Sequence, residues 1–179
     1  MANIKWNFDP THSELQFKVK HLMITNVTGS FTEFSVDAES ADENFTAPKV
    51  SFSAKTASVN TANEQRDGHL KAADFFDAEK YPEIKFISTG AKNFDTEGNF
   101  ELEGELTIKD VTKHVALNVE FGGVAKDPWG NTKAGFTITT KINRNDFGLT
   151  WNAPIETGGL LLSEEVRITA EIQLVKSAE

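Results

Sequence analysis

The chain of 179 residues contains no cysteine. That excludes disulfide staples, thiolate metal sites and cysteine nucleophiles together. Positive charge is also in short supply, with 18 Lys and Arg against 27 Asp and Glu and a formal charge of -9. A surface that neutralises phosphates needs the opposite sign, so nucleic acid is not an expected partner. Nowhere do about 18 apolar residues run together, as a membrane-spanning helix requires. The start, MANIKWNFDPTHSEL, has no apolar run behind a basic segment, so no secretory leader is read from it. The expectation is a cytoplasmic protein, or a periplasmic one if a leader has been removed. HExxH, GxSxG and glycine-rich phosphate loops are absent, and no carboxylate pair stands apart from the scattered acids. His12, His21, His69 and His114 lack the spacing of a ligand set, so neither a metal nor a catalytic residue is expected.

What is present is a period of two, which places alternate side chains on opposite faces of a strand. Leu15, Phe17, Val19 and His21 share one face, while Glu14, Gln16, Lys18 and Lys20 take the other. In FELEGELTIKD, Phe100, Leu102, Leu106 and Ile108 oppose Glu101, Glu103, Glu105 and Lys109. The alternation returns at Val50, Phe52 and Ala54, at Ile84 and Phe86, and at Val115, Leu117, Val119 and Phe121. It appears again at Phe136, Ile138 and Ile142, and from Val166 to Leu174. A further strand spans Phe31 to Ala38, where the parity change between Phe31 and Phe34 predicts a bulge. Eight strands are thus expected, linked by turns at DTEGN, KDVTK and DPWGN. Short links imply antiparallel neighbours, and strand length favours an all-β closed barrel over a sandwich. The 14 Phe point to a large apolar interior, and one domain spanning 1–179 is expected.

One segment departs from this pattern. Between Thr61 and Tyr81 the sequence predicts a short helix, around 62–75. Thr61 with Glu64 has the capping-box form, and Tyr81-Pro82 returns the chain to an extended shape. Gly68 costs such a helix about 1 kcal/mol relative to Ala, so either the helix breaks there or something packs close. A second irregular stretch, NRNDFGLTWNAPIETGG from 143 to 159, predicts a helical turn around 143–147. His21 continues the apolar face of its strand. A hydrogen-bonded histidine near a barrel rim is the plainest account of it, with ligand contact or catalysis as alternatives.

Several stretches resemble the YceI-like family of polyisoprenoid- or lipid-binding, lipocalin-like proteins. WNFDPTHSELQFKVKHLMITNVTGSF is similar to that family's opening, and RDGHLKAADFFDAEKYPEIKF to its most recognisable segment. GELTIKDVTKHVALNV, DPWGNTKAGF and INRNDFGLTW follow in family order. Asp110 departs from the pattern, which usually has glycine after LTIK. The resemblance implies an extended lipocalin-like barrel whose apolar cavity holds a long isoprenoid or comparable lipid tail. The helix then becomes a cover at the mouth, presenting Leu70, Phe75 and Phe76, with Arg66, Asp67 and His69 as a polar network at its edge.

The resulting expectation is a non-catalytic protein that binds, stores or carries a polyisoprenoid or similar amphipathic lipid, such as a prenyl quinone. Phe17, Val19, Phe31, Phe52, Phe86, Leu106, Ile108, Leu117, Phe121, Phe136 and Ile138 are the expected lining. His21, Arg66, His69 and Arg144 are the expected polar contacts at the mouth. No cofactor is expected beyond such a ligand, and the family implies a homodimer as the assembly to look for. Two alternatives stand beside this reading: an enzyme using His21 or His69 as acid or base on a buried substrate, and a structural barrel with a filled core.

Overall fold

The alternating pattern folds into an antiparallel sheet that closes on itself. The computed structural model describes residues 3–152 and 162–178. Its strands are β1 (Ile4–Phe8), β2 (Glu14–His21), β3 (Thr25–Phe31), β4 (Phe34–Ser40), β5 (Lys49–Lys55), β6 (Val59–Asn60), β7 (Glu83–Lys92), β8 (Phe100–Ile108), β9 (Val111–Lys126), β10 (Thr132–Asn143) and β11 (Leu162–Lys176). They pair in the order β1-β4-β5-β7-β8-β9-β10-β11-β2-β3-β6, with β1 also joined to β11. That last pairing is the closure. β11 holds β10 along one edge, while its other edge takes β2 over Leu162–Glu171 and β1 over Leu174–Lys176. β1 and β2 therefore form one long interrupted strand, as do β3 with β4 and β5 with β6. Counted across these breaks, the sheet is the expected closed, eight-stranded antiparallel barrel.

Each break has a local cause. Pro10 cannot donate to a ladder, and the chain passes through a 3-10 turn, Pro10–His12, before β2. The Asp9 carboxylate accepts from Thr11 N at 3.1 Å, and Ser13 Oγ accepts from Gln173 N at 3.0 Å, so side chains take over two of the backbone donors at the interruption. Between β3 and β4 the chain bends at residues 32–33, which accounts for the parity change between Phe31 and Phe34. Thr56–Ser58 forms the third break, with the Thr56 hydroxyl donating to Tyr81 O at 2.8 Å. Gly29 sits opposite Phe17, whose ring lies where any side chain at position 29 would have to go.

Helix α1 (Glu64–Lys71) is shorter than predicted and is capped differently. The N-cap is Asn63, whose side chain accepts from Arg66 N at 3.0 Å. Thr61 instead donates its backbone N–H and its hydroxyl to Asp67 Oδ1, at 2.8 and 2.5 Å. A carboxylate one turn into the helix outcompetes the Glu64 arrangement because it satisfies two donors at once. The helix runs unbroken through Gly68, and nothing lies within 4 Å of where a Cβ would stand. Neither expectation for that glycine holds. Residues 72–81 form consecutive turns, and a 3-10 helix at Arg144–Phe147 occupies the predicted helical turn. Residues 153–159 of the predicted irregular stretch lie outside the described residues.

The antiparallel registers assign each loop to one end of the barrel. One end carries the start of β1, the loop at 41–48 and the turns at 93–99 and 127–131. The two turns are built alike: the Asp95 and Asp127 carboxylates each accept from two backbone N–H groups of their own turn. The other end carries the β2–β3 turn, α1, the two-residue turn at 109–110 and the segment after β10. In the 109–110 turn the left-handed residue is Lys109, with φ of 58°, so position 110, where the resemblance leads one to expect glycine, is not the one under steric demand.

The first end is sealed. Trp6 is wholly buried, and its indole N–H donates to Ser40 Oγ at 2.9 Å. In the loop at 41–48, Asp42 accepts from Asn44 N and Thr46 N, which bends the chain and turns Phe45 inward with φ of 58°. The Phe45 ring then lies 4.7 Å from Trp6, 4.5 Å from Phe136 and 5.8 Å from Phe121.

Candidate functional site: an apolar cavity with a polar rim

Beyond this plug the inner faces of the strands do not meet. They enclose a cavity of about 610 Å³, within the range typical of small-molecule sites. Its wall takes Phe17 and Val19 from β2, Phe31 from β3, Phe52 from β5, Phe86 from β7, and Leu106 and Ile108 from β8. Leu117 comes from β9, and Phe136 and Ile138 from β10. Leu70, Phe75 and Phe76 enter from α1 and the turns after it. The cavity is the expected one, and the alternative of a barrel with a filled core does not match this interior: eight strands of alternating pattern surround more space than their side chains occupy.

Phe121 is the exception among the expected lining residues. It shares the inner face of β9 but lies outside the cavity wall, stacked on Phe136 at 5.3 Å and packed against Phe45. The physical reason is its height in the barrel. Phe121 pairs in register with Phe136 at a bulge next to the sealed end, where the loop carrying Phe45 has already filled the interior. Parity predicted the face correctly but carried no information about depth.

The rim at the open end gathers His21, Thr61, Asn63, Gln65, Arg66, His69 and Arg144. Arg66 is held by Thr61, donating from Nε to its hydroxyl at 2.7 Å and from Nη2 to its carbonyl at 2.8 Å. With Asp67 on the same hydroxyl, Thr61 becomes the centre of a network between cation and carboxylate, and α1 is tied to the end of β6. His69 Nε2 lies 3.1 Å from Asp74 Oδ2, and its ring stands edge-on to Phe75 at 5.0 Å and to Trp151 at 4.7 Å. This aromatic contact joins the helix to the segment after β10. Asn152 continues the link, exchanging hydrogen bonds with the backbone of Leu162 at 2.8 and 3.0 Å, and Leu162 is the register partner of His21.

Arg144 is buried, with 3% of its surface exposed. Nε donates to Ser163 O at 2.9 Å, and Nη1 donates to Leu149 O at 2.5 Å and Trp151 O at 2.8 Å. Nη2 is buried with no hydrogen-bond partner among the described residues. Burial pushes the guanidinium below its ordinary value, and the nearby Glu164 charge acts in the opposite direction. The residue thus borders the cavity while most of its donors hold the irregular segment against the start of β11. Trp151 and Leu149 also line the wall. Neither was anticipated, because the segment DFGLTW has no periodicity; its one signal was a glycine at 148 among aromatic and aliphatic residues.

Chemically, the arrangement offers a largely apolar surface with most of its hydrogen-bonding groups at one end. That suits a molecule with an apolar body and a polar head. Comparison with known proteins places the geometry in context. A UPF0312 protein of Staphylococcus aureus is 37% identical over 169 residues, covering 94% of this chain and 95% of the relative. The crystal structure of a Campylobacter jejuni YCEI protein matches with a TM-score of 0.74 at 37% identity, covering 89% of this chain and 90% of that one. A polyisoprenoid binding domain from Saccharophagus degradans, implicated in plant cell wall breakdown, shares the fold with a TM-score of 0.70 at 14% identity, covering 96% and 98%. The model of the YceI-like domain matches residues 6–174, and with the barrel, its cavity and these relatives in agreement, the chain belongs to the YceI-like domain family.

Proposed function

We propose that this protein is a non-catalytic carrier or store for a long-chain polyisoprenoid or similar amphipathic lipid, a prenyl quinone being one such molecule. The observation that carries the reading is the cavity itself, about 610 Å³ with a wall mostly of Phe, Leu, Ile and Val and with its polar groups gathered mainly toward the rim. Support also comes from the Saccharophagus degradans domain of the same fold, which is described as polyisoprenoid binding. Burial of each CH₂ is worth about 0.8 kcal/mol, so a five-carbon prenyl unit contributes roughly 3 to 4 kcal/mol. A few units in such a tube offset even the larger estimates, about 15 kcal/mol, of the freedom lost on association. Affinity should then rise with tail length and respond weakly to the head group.

The test is native mass spectrometry and lipid extraction of protein purified without detergent, followed by titration with prenyl probes of increasing length. A co-purifying prenyl lipid and affinity that climbs with each unit are the expected results. An empty protein that takes up no probe of any length overturns the reading. Recovery of a chemically altered probe, abolished by His21→Ala or His69→Ala, would replace it with an enzymatic one.

A further inference from the structure

We propose that the β2–β3 turn is a membrane-docking element that seats the open end of the barrel on an anionic bilayer, so that a lipid tail passes directly between bilayer and cavity. This rests on the reading of the cavity as a lipid site. The turn is Leu22, Met23 and Ile24, which are 36%, 55% and 77% exposed. Leu22 and Met23 both have left-handed backbone, with φ of 54° and 61°, and Ile24 N donates to His21 O at 3.1 Å. A turn of that shape selects Gly, which has no Cβ to clash, and Asn, whose short side chain bonds locally, whereas larger apolar side chains are strained there. This one instead carries two large apolar residues whose exposure gives the fold little burial in return. Strain held at an exposed apolar turn points to a role outside folding.

Charge identifies the surface that the turn fits. The chain as a whole carries -9, yet no acid occurs from Leu15 to Thr32, where the ionic side chains are Lys18 and Lys20. The neighbouring start of β11 adds exposed Glu164 and Glu165 opposite Lys20 and Arg167 opposite Lys18, so the outer face beside the turn carries three cations against two acids. Both lysines are exposed on the outer face of β2, one and two alternations below the turn. An apolar tip flanked by lysines complements the interface of a bilayer with negative headgroups. Position completes the case: His21, the residue immediately before the turn, faces the cavity. A bilayer gripped at Met23 and Ile24 would therefore lie against the rim through which a tail must leave. The sealed end supplies a control, since Trp129 is 83% exposed there but sits in a turn with Asp127.

The experiment is flotation of the full chain with vesicles of phosphatidylcholine, with and without about one-third phosphatidylglycerol. Binding to the anionic vesicles alone, weakening as salt rises, is expected. Met23→Asp with Ile24→Asp, and separately Lys18→Gln with Lys20→Gln, should each lower it by about ten-fold. Trp129→Ala should leave it unchanged. Leu22→Asn with Met23→Gly guards against misfolding: it relieves the backbone, so the melting temperature should rise while vesicle binding falls about ten-fold. Failure of the natural sequence to float, or equal flotation of the turn variants, overturns the proposal. Uptake of a short prenyl alcohol from solution, measured without vesicles, separates the two readings. Uptake without flotation overturns docking alone, whereas flotation without uptake overturns the lipid cavity and with it the role of docking in exchange.

Discussion

The two ends of the barrel are built from the same alternating strands, and they differ in everything that matters for function. At the sealed end Trp6, Phe45, Phe121 and Phe136 pack ring on ring with centroids 4.5 to 5.8 Å apart, and Phe45 and Phe136 also border the cavity from that side. Toward the open end, Phe17, Phe52, Phe86 and Leu117 point inward in the same way and border empty space. The difference lies in the loops. A short loop held by Asp42 drives Phe45 into one end, whereas the other is covered by α1 and the segment around Trp151, which lean on each other through His69 and leave the space beneath them unfilled. Strand pattern decides which face is apolar, and loop geometry decides whether that face becomes core or cavity.

The sharpest way to break this contrast is to remove a ring at each end. Phe45→Ala leaves a void among fixed partners and should lower stability by about 3 to 5 kcal/mol, read from urea unfolding. Phe52→Ala removes a ring that already borders space and should cost clearly less. Equal losses would mean that the two ends are packed alike. Next in size is Arg144→Met, which strands the carbonyls of Leu149, Trp151 and Ser163. A loss of about 2 to 3 kcal/mol is expected, with faster amide exchange in the segment after β10. An unchanged exchange pattern would show that the guanidinium does not hold that cover.

Leu117→Trp tests the cavity instead of the fold. The added ring displaces two or three methylenes of any tail, so prenyl affinity should drop by about 2 kcal/mol, roughly thirty-fold, with little change in stability. A stability loss without a binding effect would place Leu117 in packed core.

The smallest effect concerns the clip between the β1–β2 break and β10. Burial opposes ionisation of Asp9, but hydrogen bonds and charge from Lys133, 2.8 Å away, and from His12 prevail and hold its carboxyl at about 2. A depressed folded value means that the contribution is present above the ordinary carboxylate range and is lost as pH falls from near 4 through about 2. Allowing for solvent screening, about 1 kcal/mol should disappear over that window in the natural protein and not in Asp9→Asn. Parallel pH profiles for the two would remove the clip from the account.

Much of this architecture was legible in the chain. The inner faces of β2, β8, β9 and β10 followed from parity, because the pleat forces alternate residues to opposite sides whatever the neighbours are. The helix was expected, from the family resemblance, as a cover at the mouth, and Leu70, Phe75 and Phe76 of α1 and the turns after it line the cavity. Other features were not legible. Thr61 resembled an N-cap and became the hub for Arg66 and Asp67, since the choice between two carboxylates depends on where the end of β6 delivers the threonine. Arg144 was expected as a head-group contact and turned out to spend three hydrogen bonds on carbonyls, because burial makes unpaired backbone acceptors costly and the guanidinium is the donor within reach.

What the sequence determined by itself was class and polarity: an acidic, cysteine-free chain whose period-two pattern commits one face of every long strand to an apolar interior. That information is local, set by the geometry of adjacent residues. Whether the sheet closes, how deep each inward side chain sits, and which end is plugged were decided by pairings and contacts between residues far apart in the chain, such as Trp6 with Lys176 and Phe45 with Phe136. Only when β11 takes β1 beyond β2 is a tube formed, and only when Phe45 folds into one end of it does the remaining volume become a cavity with a single polar rim.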